Sequence, residues 1–375
     1  MNPHVTLHWF LPTYGDSRAI MSGGHGSGHE TGEREGTLAY LTQMALAAES
    51  QGMESMLVPT GLSCEDAWLA AAALIPQTTR LKFLIAIRPG LVSPTIIAQQ
   101  AATFQQLSGN RLLLNVVVGG EDHEQRAFGD DSTKEQRYRR AAEVLEITDQ
   151  LWNSAEEVTF RGEHTWVEKV VLRVRPEVSP QIFFGGSSQP GIEVAARRAD
   201  VYLTWGEPPA QAKAKIDRVS EAAAAEGREL EYGIRFHIIA RPTSAEAWAA
   251  AQGQLDSIDP AEVRRIQEGL ARSQSEGQRR MTELHQQGSE FEAGTDARSL
   301  EIAPNLWAGV GLIRGGAGTA LVGSYEEVAQ RIAEYREAGF EHFILSGYPN
   351  LEETFQVGEG VVPALQRLGV DVANR

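Results

Sequence analysis

The chain has 375 residues, 42% of them hydrophobic, which is enough to bury a large core. Its formal net charge is −16 at pH 7 and no basic cluster offsets it, so nucleic acid and anionic membranes are poor candidates as partners. One cysteine, Cys64, leaves no internal disulfide framework or thiolate metal cage, and no metal site is expected. No signal-like start and no apolar run of about 20 residues is present, so we expect a soluble cytoplasmic enzyme.

Short apolar runs alternate along the chain with longer amphipathic stretches. Such alternation is typical of a parallel sheet covered by helices on both faces, and eight strands favour a closed barrel. We therefore predict an α/β fold, a single-domain (β/α)8 TIM barrel over residues 1–375, with its active site at the carboxyl ends of the strands. An open doubly wound sheet is the alternative, but no glycine fingerprint follows the first strand. The predicted strands are Val5–Leu11, Met53–Pro59, Leu81–Ile87, Leu112–Val118, Gln181–Phe184, Val201–Thr204, Glu231–Ala240 and His342–Ser346. The predicted helices are Thr37–Gln51, Glu65–Leu74, Pro94–Leu107, Lys134–Trp152, Gln189–Arg198, Pro209–Glu226 and Tyr325–Ala338.

Two segments interrupt this alternation. Residues 152–180 are predicted to carry an inserted β-hairpin with strands at Val158–Phe160 and Val170–Leu172. Residues 258–303 are long, polar and rich in Gln, Glu and Arg, which predicts a mobile lid at the catalytic rim or, alternatively, an idle surface insertion. The stretch Gly23–His29 is predicted as a further loop at the same rim.

Polar and glycine residues lie where two predicted strands end. Asn115 interrupts an apolar strand, so its amide needs a polar partner. Gly185, Gly186, Ser187 and Ser188 follow the fifth strand and open a helix, and free N–H groups with hydroxyls at a helix start suit a phosphate. This pattern predicts a phosphate-bearing cofactor; a tight turn with a serine cap is the alternative.

Three further side chains lie at predicted strand ends. Trp205 either walls a flat aromatic cofactor or covers the top of the barrel. Tyr348 follows the last strand and either fixes a turn or carries a proton. Cys64 precedes a helix, where a thiol is acidified, although lining a pocket is favoured over direct chemistry.

Two arginines stand in apolar, glycine-flanked stretches. Arg235 lies in Gly-Ile-Arg-Phe-His, which ends in His237, and Arg314 lies in Gly-Leu-Ile-Arg-Gly-Gly. Because a buried guanidinium is costly without a partner, both predict an anion, and their planar fork suits a sulfonate, phosphate or carboxylate. A structural ion pair with an internal Asp or Glu is the alternative.

Several long motifs, which together cover nearly the whole chain, resemble those of the alkanesulfonate monooxygenases, a group of the bacterial-luciferase-like flavin-dependent monooxygenases. The resemblance implies a (β/α)8 barrel, a homodimer or homotetramer, and FMN used as FMNH2 that a separate NAD(P)H-dependent flavin reductase supplies. It further implies O2 as co-substrate and cleavage of the C–S bond of an organosulfonate to give sulfite and an aldehyde. The motifs are Trp9–Thr13, Pro59–Gly61, Ser63–Trp68, Phe184–Ser188, Leu203–Pro209, Pro304–Leu312, Arg314–Gly323 and Ser346–Pro349.

The same resemblance implies roles for single residues, in keeping with one phosphate site and one anion site. The implied catalytic residues are Cys64, Arg235, His237, Arg314 and Tyr348. The implied flavin-binding residues are Asn115, Tyr138, Gly185, Gly186, Ser187, Ser188 and Trp205. In this assignment the two arginines hold the sulfonate, Trp205 borders it, and His237 and Tyr348 handle protons.

Tyr14 and Asn350 depart from the pattern of the group, in which many members have histidine at both positions. Both positions are expected to face the substrate. A phenol and an amide keep hydrogen bonding but remove a charge that switches with pH. The departure widens the expected substrates from alkanesulfonates to a larger or hydroxylated sulfonate such as the sulfosugar sulfoquinovose. Two alternatives stay open: a deazaflavin (F420)-dependent oxidoreductase acting on another anion, and a non-catalytic flavin-binding protein.

Overall fold

Eight parallel strands form a closed barrel in the computed structural model, which describes residues 4–20, 33–119, 121–273, 275–286 and 291–373. Neighbouring strands pair in parallel register, and the last strand pairs with both the seventh and the first, which closes the barrel. The predicted (β/α)8 barrel is confirmed, with strand ends moved by up to two residues. The barrel strands are β1 (His4–Phe10), β2 (Ser55–Val58), β3 (Lys82–Ile87), β4 (Leu112–Val116), β5 (Gln181–Gly185), β6 (Val201–Trp205), β7 (Glu231–Arg241) and β8 (His342–Ser346).

All seven predicted helices are present, and further short helices follow β4, β7 and β8. None of the helices in the described ranges is long and apolar enough to cross a membrane. The helices are α1 (Leu38–Ser50), α2 (Ala67–Leu74), α3 (Pro94–Ser108), α4 (Asp122–Ala127), α5 (Lys134–Asn153), α6 (Gln189–Arg198), α7 (Pro209–Ala225), α8 (Ser244–Asp256), α9 (Pro260–Leu270), α10 (Glu276–Gln286), α11 (Tyr325–Glu337), α12 (Asn350–Phe355) and α13 (Val362–Arg367).

Helix ends follow local sequence signals. The Asp66 side chain accepts a hydrogen bond from the N–H of Leu69 at 2.8 Å and starts α2. Thr133 and Gln136 form a reciprocal capping box at the start of α5. After α3 the chain turns at Gly109, whose φ of +68° is left-handed and favours glycine. These signals explain why predicted helix bounds agree with the structure to within two residues.

Alternation along the strands separates two apolar layers, because successive side chains point to opposite faces. Residues of one parity fill the barrel interior, and those of the other parity pack against the helices. The interior cluster consists of Phe10, Leu57, Leu84, Leu113, Phe183, Val201 and Ile344. The same parity turns Asn115, Trp205, Arg235 and His237 inward near the carboxyl ends of their strands.

Strand β7 is longer than its neighbours and carries a sheet extension. Its first part pairs with β6, and from His237 onward it pairs in parallel with Ala320–Ser324. Leu306–Trp307 and Glu301–Ala303 continue this extension in antiparallel pairs. These three strands were not predicted, because short apolar runs in a glycine-rich segment do not distinguish strand from loop.

The predicted hairpin is present, but its second strand begins earlier than expected. The strands are Val158–Arg161 and Trp166–Val170, joined by a turn in which the Gly162 N–H donates to the Thr165 carbonyl at 3.0 Å. Glu143 of α5 accepts hydrogen bonds from the N–H groups of residues 163–165 at 2.8–2.9 Å. This tertiary contact, which the local sequence does not reveal, fixes the turn and moves the strand to residue 166.

The polar segment 258–303 is largely helical where it is described. Val263, Ile266 and Leu270 lie on one buried face of α9, at spacings of three and four residues. The polar composition concealed this amphipathic pattern. Gly23–His29 and Gly288–Glu290 lie outside the described residues.

We expect Phe183→Ala to lower the free energy of unfolding by about 3–5 kcal/mol, because it empties a site in the barrel interior that is fully shielded from solvent. Phe355→Ala, in which the phenyl group is 38% exposed, is the matched control and should cost much less. Urea unfolding of both variants checks this. Equal losses in the two variants would contradict the assignment of Phe183 to the interior core.

Candidate active site

Two adjoining cavities open at the carboxyl ends of the barrel strands. The larger, here called the main cleft, encloses about 1260 Å³ including space open to solvent, and the smaller, the side cavity, about 610 Å³. They share the residues Phe10, Pro59, Thr60, Trp205 and Arg235. Ligands in the two cavities would therefore meet beside Trp205 and Arg235.

The turn between β5 and α6 forms one wall of the main cleft. Ser188 occupies the N-cap position of α6, yet its side chain does not cap the helix, and its buried Oγ has no hydrogen-bond partner among the described residues. A Cβ at Gly186 would lie 3.1 Å from the Tyr138 Oη and 3.2 Å from the Gly191 Cα. Backbone and hydroxyl groups are thus presented at a helix N-terminus with little side chain in between, the arrangement that suits a phosphate.

Two tyrosines support this turn. Tyr138 of α5 lines the main cleft beside Ser188, and burial raises the pKa of its phenol. The Tyr202 Oη donates a hydrogen bond to the Gly186 carbonyl at 3.0 Å. Tyr202 could not be identified from the sequence, because an outward-facing tyrosine in an apolar strand has the same pattern as a core residue.

The first turn of α10 roofs the main cleft. Ser275, Gly277 and Gln278 line it, and a Cβ at Gly277 would lie 3.0 Å from the Trp205 indole. Gln278 also accepts a hydrogen bond from the Gly316 N–H at 2.9 Å, which connects this roof to the segment that carries Arg314. The predicted lid region therefore covers the site in this conformation.

A buried carboxylate fastens α10 to the barrel. Glu207 follows β6 and accepts hydrogen bonds from Arg280 at 2.8 and 2.5 Å and from Lys215 at 2.5 Å. Burial opposes its ionisation, but Arg280 and Lys215 hold the pKa of Glu207 below its usual value. This ion-pair network joins α10, α7 and the loop after β6.

Arg235 is a half-buried cation that lines both cavities. Its Nε has no hydrogen-bond partner, and its side chain forms no ion pair, among the described residues. The guanidinium lies 4.5 Å from the centre of the Phe10 ring. Burial, reinforced by the nearby Arg314 charge, lowers the pKa of Arg235 to about 10. The group still carries its charge at pH 7 and lacks a counter-ion from the described part of the chain.

Arg314 faces the side cavity from the other direction and is held by two phenols. Its Nη2 donates to the Tyr14 Oη at 2.6 Å, and its Nη1 donates to the Tyr348 Oη. Burial opposes the charge, yet both tyrosines hold the pKa of Arg314 above its usual value. As with Arg235, no described Asp or Glu pairs with it, so the alternative of a structural ion pair finds no partner in these ranges.

His237 and Tyr348 lie behind Arg314 and line neither cavity. Their rings stack with centroids 5.5 Å apart, and the His237 Nδ1 lies 3.0 Å from the Ser346 Oγ. Burial, with the charges of Arg314 and Arg235, lowers the pKa of His237 far enough to keep it neutral at pH 7. Burial raises the pKa of Tyr348. Both residues are placed to position Arg314 and do not contact the cavities directly.

Cys64 lines the side cavity as a protonated thiol. Burial raises the pKa of Cys64, and this outweighs the opposing effect of Arg314. The result is the reverse of the acidification expected from its position before a helix, because α2 begins three residues later, at Ala67. Lining the cavity, the favoured interpretation, agrees with its position.

Tyr14 and Asn350 occupy different surroundings. Tyr14 lines the side cavity, whereas Asn350 lines neither cavity. The Asn350 amide donates to the Asp16 carboxylate at 3.1 Å, and Tyr40 donates to the same carboxylate at 2.6 Å. Asn350 therefore braces the loop after β1, in contrast to the expected substrate contact.

Residues 18–342 match the family of luciferase-like monooxygenases. Among solved structures, riboflavin lyase (RcaE) in complex with modified FMN and riboflavin is 23% identical, with a TM-score of 0.77 over 99% of this chain and 93% of that one. EDTA monooxygenase (EmoA) from Chelativorans sp. BNC1 is 18% identical, with a TM-score of 0.77 over 99% and 95%. An F420-dependent secondary alcohol dehydrogenase is 18% identical, with a TM-score of 0.65 over 96% and 99%. At these identities the structural likeness establishes the fold.

Removing the Arg280 side chain should loosen the roof of the main cleft. Arg280→Met loses a bidentate, partly exposed ion pair of about 1 kcal/mol, which would raise the open population about fivefold. Digestion by subtilisin around residues 271–286 should accelerate accordingly. The control is Arg279→Met, because Arg279 pairs only with Glu276 and Glu283 of its own helix among the described residues. Equal digestion rates for the two variants would contradict the fastening role of Glu207.

Proposed function

We propose that this chain, which belongs to the luciferase-like monooxygenase family, is a two-component monooxygenase. It uses reduced FMN and O2 to cleave the C–S bond of an organosulfonate. The products are sulfite and an aldehyde. The observation that carries the proposal is a pair of cations, the half-buried Arg235 and the buried Arg314, which face one cavity without an ion-pair partner among the described carboxylates. The sequence motifs shared with alkanesulfonate monooxygenases support the same reaction.

A sulfonate fits the side cavity on electrostatic grounds. It is a fixed monoanion with three acceptor oxygens, and two guanidinium forks supply charge-assisted donors to it. In a site from which water is largely excluded, such bonds are stronger than in bulk water. Arg235 also borders the main cleft. A sulfonate bound in the side cavity would therefore present its C–S bond toward a ligand bound in the main cleft.

The main cleft fits FMN. The unpartnered Ser188 Oγ, the glycine turn and the N-terminus of α6 would hold the phosphate, with Tyr138 beside them. Asn115 and Trp205 would border the isoalloxazine ring. Reduced FMN, when bound, supplies the two electrons that allow O2 to give one oxygen atom to the substrate carbon and the other to water. A separate NAD(P)H-dependent flavin reductase would supply it, and a homodimer or homotetramer is the proposed assembly.

The protein's own contribution is positioning and shielding. Arg235 and Arg314 orient the sulfonate and stabilise the charge of the departing sulfite. Tyr14 and Tyr348 keep Arg314 in place, while neutral His237 packs against Tyr348 without adding a third cation. The roof formed by α10 excludes water from the site during the reaction.

Ser188→Ala should weaken FMN binding about tenfold, since it removes one hydrogen bond to a charged phosphate. Ser179→Ala, which alters an exposed serine, is the control and should bind FMN as the wild type does. Fluorescence titration with FMN measures both. An unchanged dissociation constant for Ser188→Ala would contradict the assignment of the FMN phosphate to the N-terminus of α6.

Arg235→Met and Arg314→Met should each reduce sulfite release about a hundredfold or more, because each removes charge-assisted hydrogen bonds to the substrate. Sulfite and O2 consumption are measured with FMN, NADH and a flavin reductase, across alkanesulfonates and sulfoquinovose. Arg279→Met serves as the charge-matched control on the surface. Wild-type sulfite release by Arg314→Met would refute the assignment, and O2-independent turnover with reduced F420 would favour the deazaflavin alternative.

A further inference from the structure

We propose that Glu124 determines substrate specificity and that the substrate is a hydroxylated organosulfonate whose hydroxyl group donates a hydrogen bond to this carboxylate. The inference rests on the proposed function, because it assigns the sulfonate to Arg235 and Arg314. It adds the chemistry of the carbon body of the substrate. The observation behind it is that one acid among the described residues lines the side cavity together with two cations.

Glu124 belongs to the short helix α4 and reaches the side cavity from the side of β3 and β4. It is the only acid among the described residues that line this cavity, and its side chain is 12% exposed. Arg235 and Arg314 supply the two cations of the same lining. An anion bound between the arginines would therefore extend toward a fixed hydrogen-bond acceptor.

Contacts on both carboxylate oxygens hold Glu124 in place. Its Oε2 accepts from the Arg88 Nη2 at 2.7 Å, and its Oε1 accepts from the Leu62 N–H at 3.0 Å. A Cβ at Gly61 would lie 3.0 Å from the same Oε1, so the loop that carries Cys64 packs closely against it. A carboxylate offers about four acceptor positions, and a fixed one binds a donor without further loss of side-chain entropy.

The charge balance favours a neutral donor. Arg88, with a side chain only 3% exposed, already compensates the charge of Glu124, and Arg235 and Arg314 leave the cavity positive. An ammonium group would be repelled by these two arginines. A hydroxyl group adds no charge and still donates a hydrogen bond.

The remaining lining also suits a polar carbon body. No Leu, Ile, Val or Met contributes to the described lining of the side cavity, whereas Tyr14, Thr60, Ser63 and Cys64 do. Burial of a methylene group among aliphatic side chains stabilises a complex by about 0.8 kcal/mol. The apolar part of this lining comes from Phe10, Pro59, Trp205 and Ala317, and the larger aliphatic side chains contribute none of it in the described residues.

Isothermal titration calorimetry of the full-length protein tests the proposal without turnover. The probes are hydroxyalkanesulfonates of two to four carbons, the alkanesulfonates in which a methyl replaces each hydroxyl, and the matching aminoalkanesulfonates. We expect the best hydroxylated probe to bind about tenfold more tightly than its methyl analogue, as for a hydrogen bond to a charged acceptor. The amino analogue should bind no better than the methyl one.

Variants separate recognition from loop stability. Glu124→Gln keeps an acceptor oxygen, so the preference for hydroxyl over methyl should fall several-fold, and Glu124→Ala should abolish it. A purely structural role would weaken both probes equally and leave their ratio unchanged. Glu65→Gln, which alters an exposed acid on the loop that carries Cys64, should keep the wild-type ratio.

The possible outcomes distinguish a failure of the Glu124 assignment from a failure of the proposed function. Equal affinity for hydroxyl and methyl probes, or an unchanged ratio in Glu124→Ala, overturns the role of Glu124 and leaves the sulfonate site intact. If no sulfonate binds to the wild-type protein, or if sulfonates bind Arg314→Met as they bind the wild type, the proposed function itself fails.

Discussion

Two cations, the half-buried Arg235 and the buried Arg314, share one cavity without forming an ion pair with any described carboxylate, and they impose the main physical constraint on this protein. The burial of a cation is costly, and a second cation nearby increases the cost. Two contacts offset part of this burial cost: the Phe10 ring lies beside Arg235, and the Tyr14 and Tyr348 phenol oxygens accept hydrogen bonds from Arg314. The rest of the cost is left for a ligand to offset, so the site favours an anion.

Three titratable groups near this pair remain uncharged at pH 7. His237 stays neutral, while the Cys64 thiol and the Tyr348 phenol stay protonated. Each shift has burial as its largest cause, and the two arginines further disfavour an imidazolium. The local field is consequently set by Arg235, Arg314 and the Arg88–Glu124 pair. Glu207, a buried carboxylate at the same rim, serves the attachment of α10.

Local sequence patterns account for the part of the fold and of the site that could be predicted from the sequence. Short apolar runs that alternate with amphipathic stretches predicted the eight barrel strands, and the side-chain parity within those strands brings Asn115, Trp205 and Arg235 to the cavities. Glycine and serine after β5 indicated the turn at Ser188 by their local chemistry alone. These features are encoded within a few neighbouring residues, which makes them readable without a structure.

Features that depend on distant contacts could not be predicted. Asn350 was expected at the substrate, but its amide binds Asp16, more than 300 residues away in the chain. Tyr202 and Glu124 gave no sequence signal, because their roles arise from the Gly186 carbonyl and from Arg88. Residues 258–303 are rich in polar side chains, and this composition likewise concealed the amphipathic pattern of their helices.

The segment that follows Arg314 has almost no side chains. Gly315, Gly316 and Ala317 form one wall of the side cavity, and all three are buried. Because these residues have almost no side chains, this wall leaves space for a substrate. The wall belongs to a segment outside the barrel strands. New substrate preferences are therefore open to this scaffold through single small-to-large exchanges at 315 or 317, which would reshape the cavity while the barrel and both arginines stay as they are.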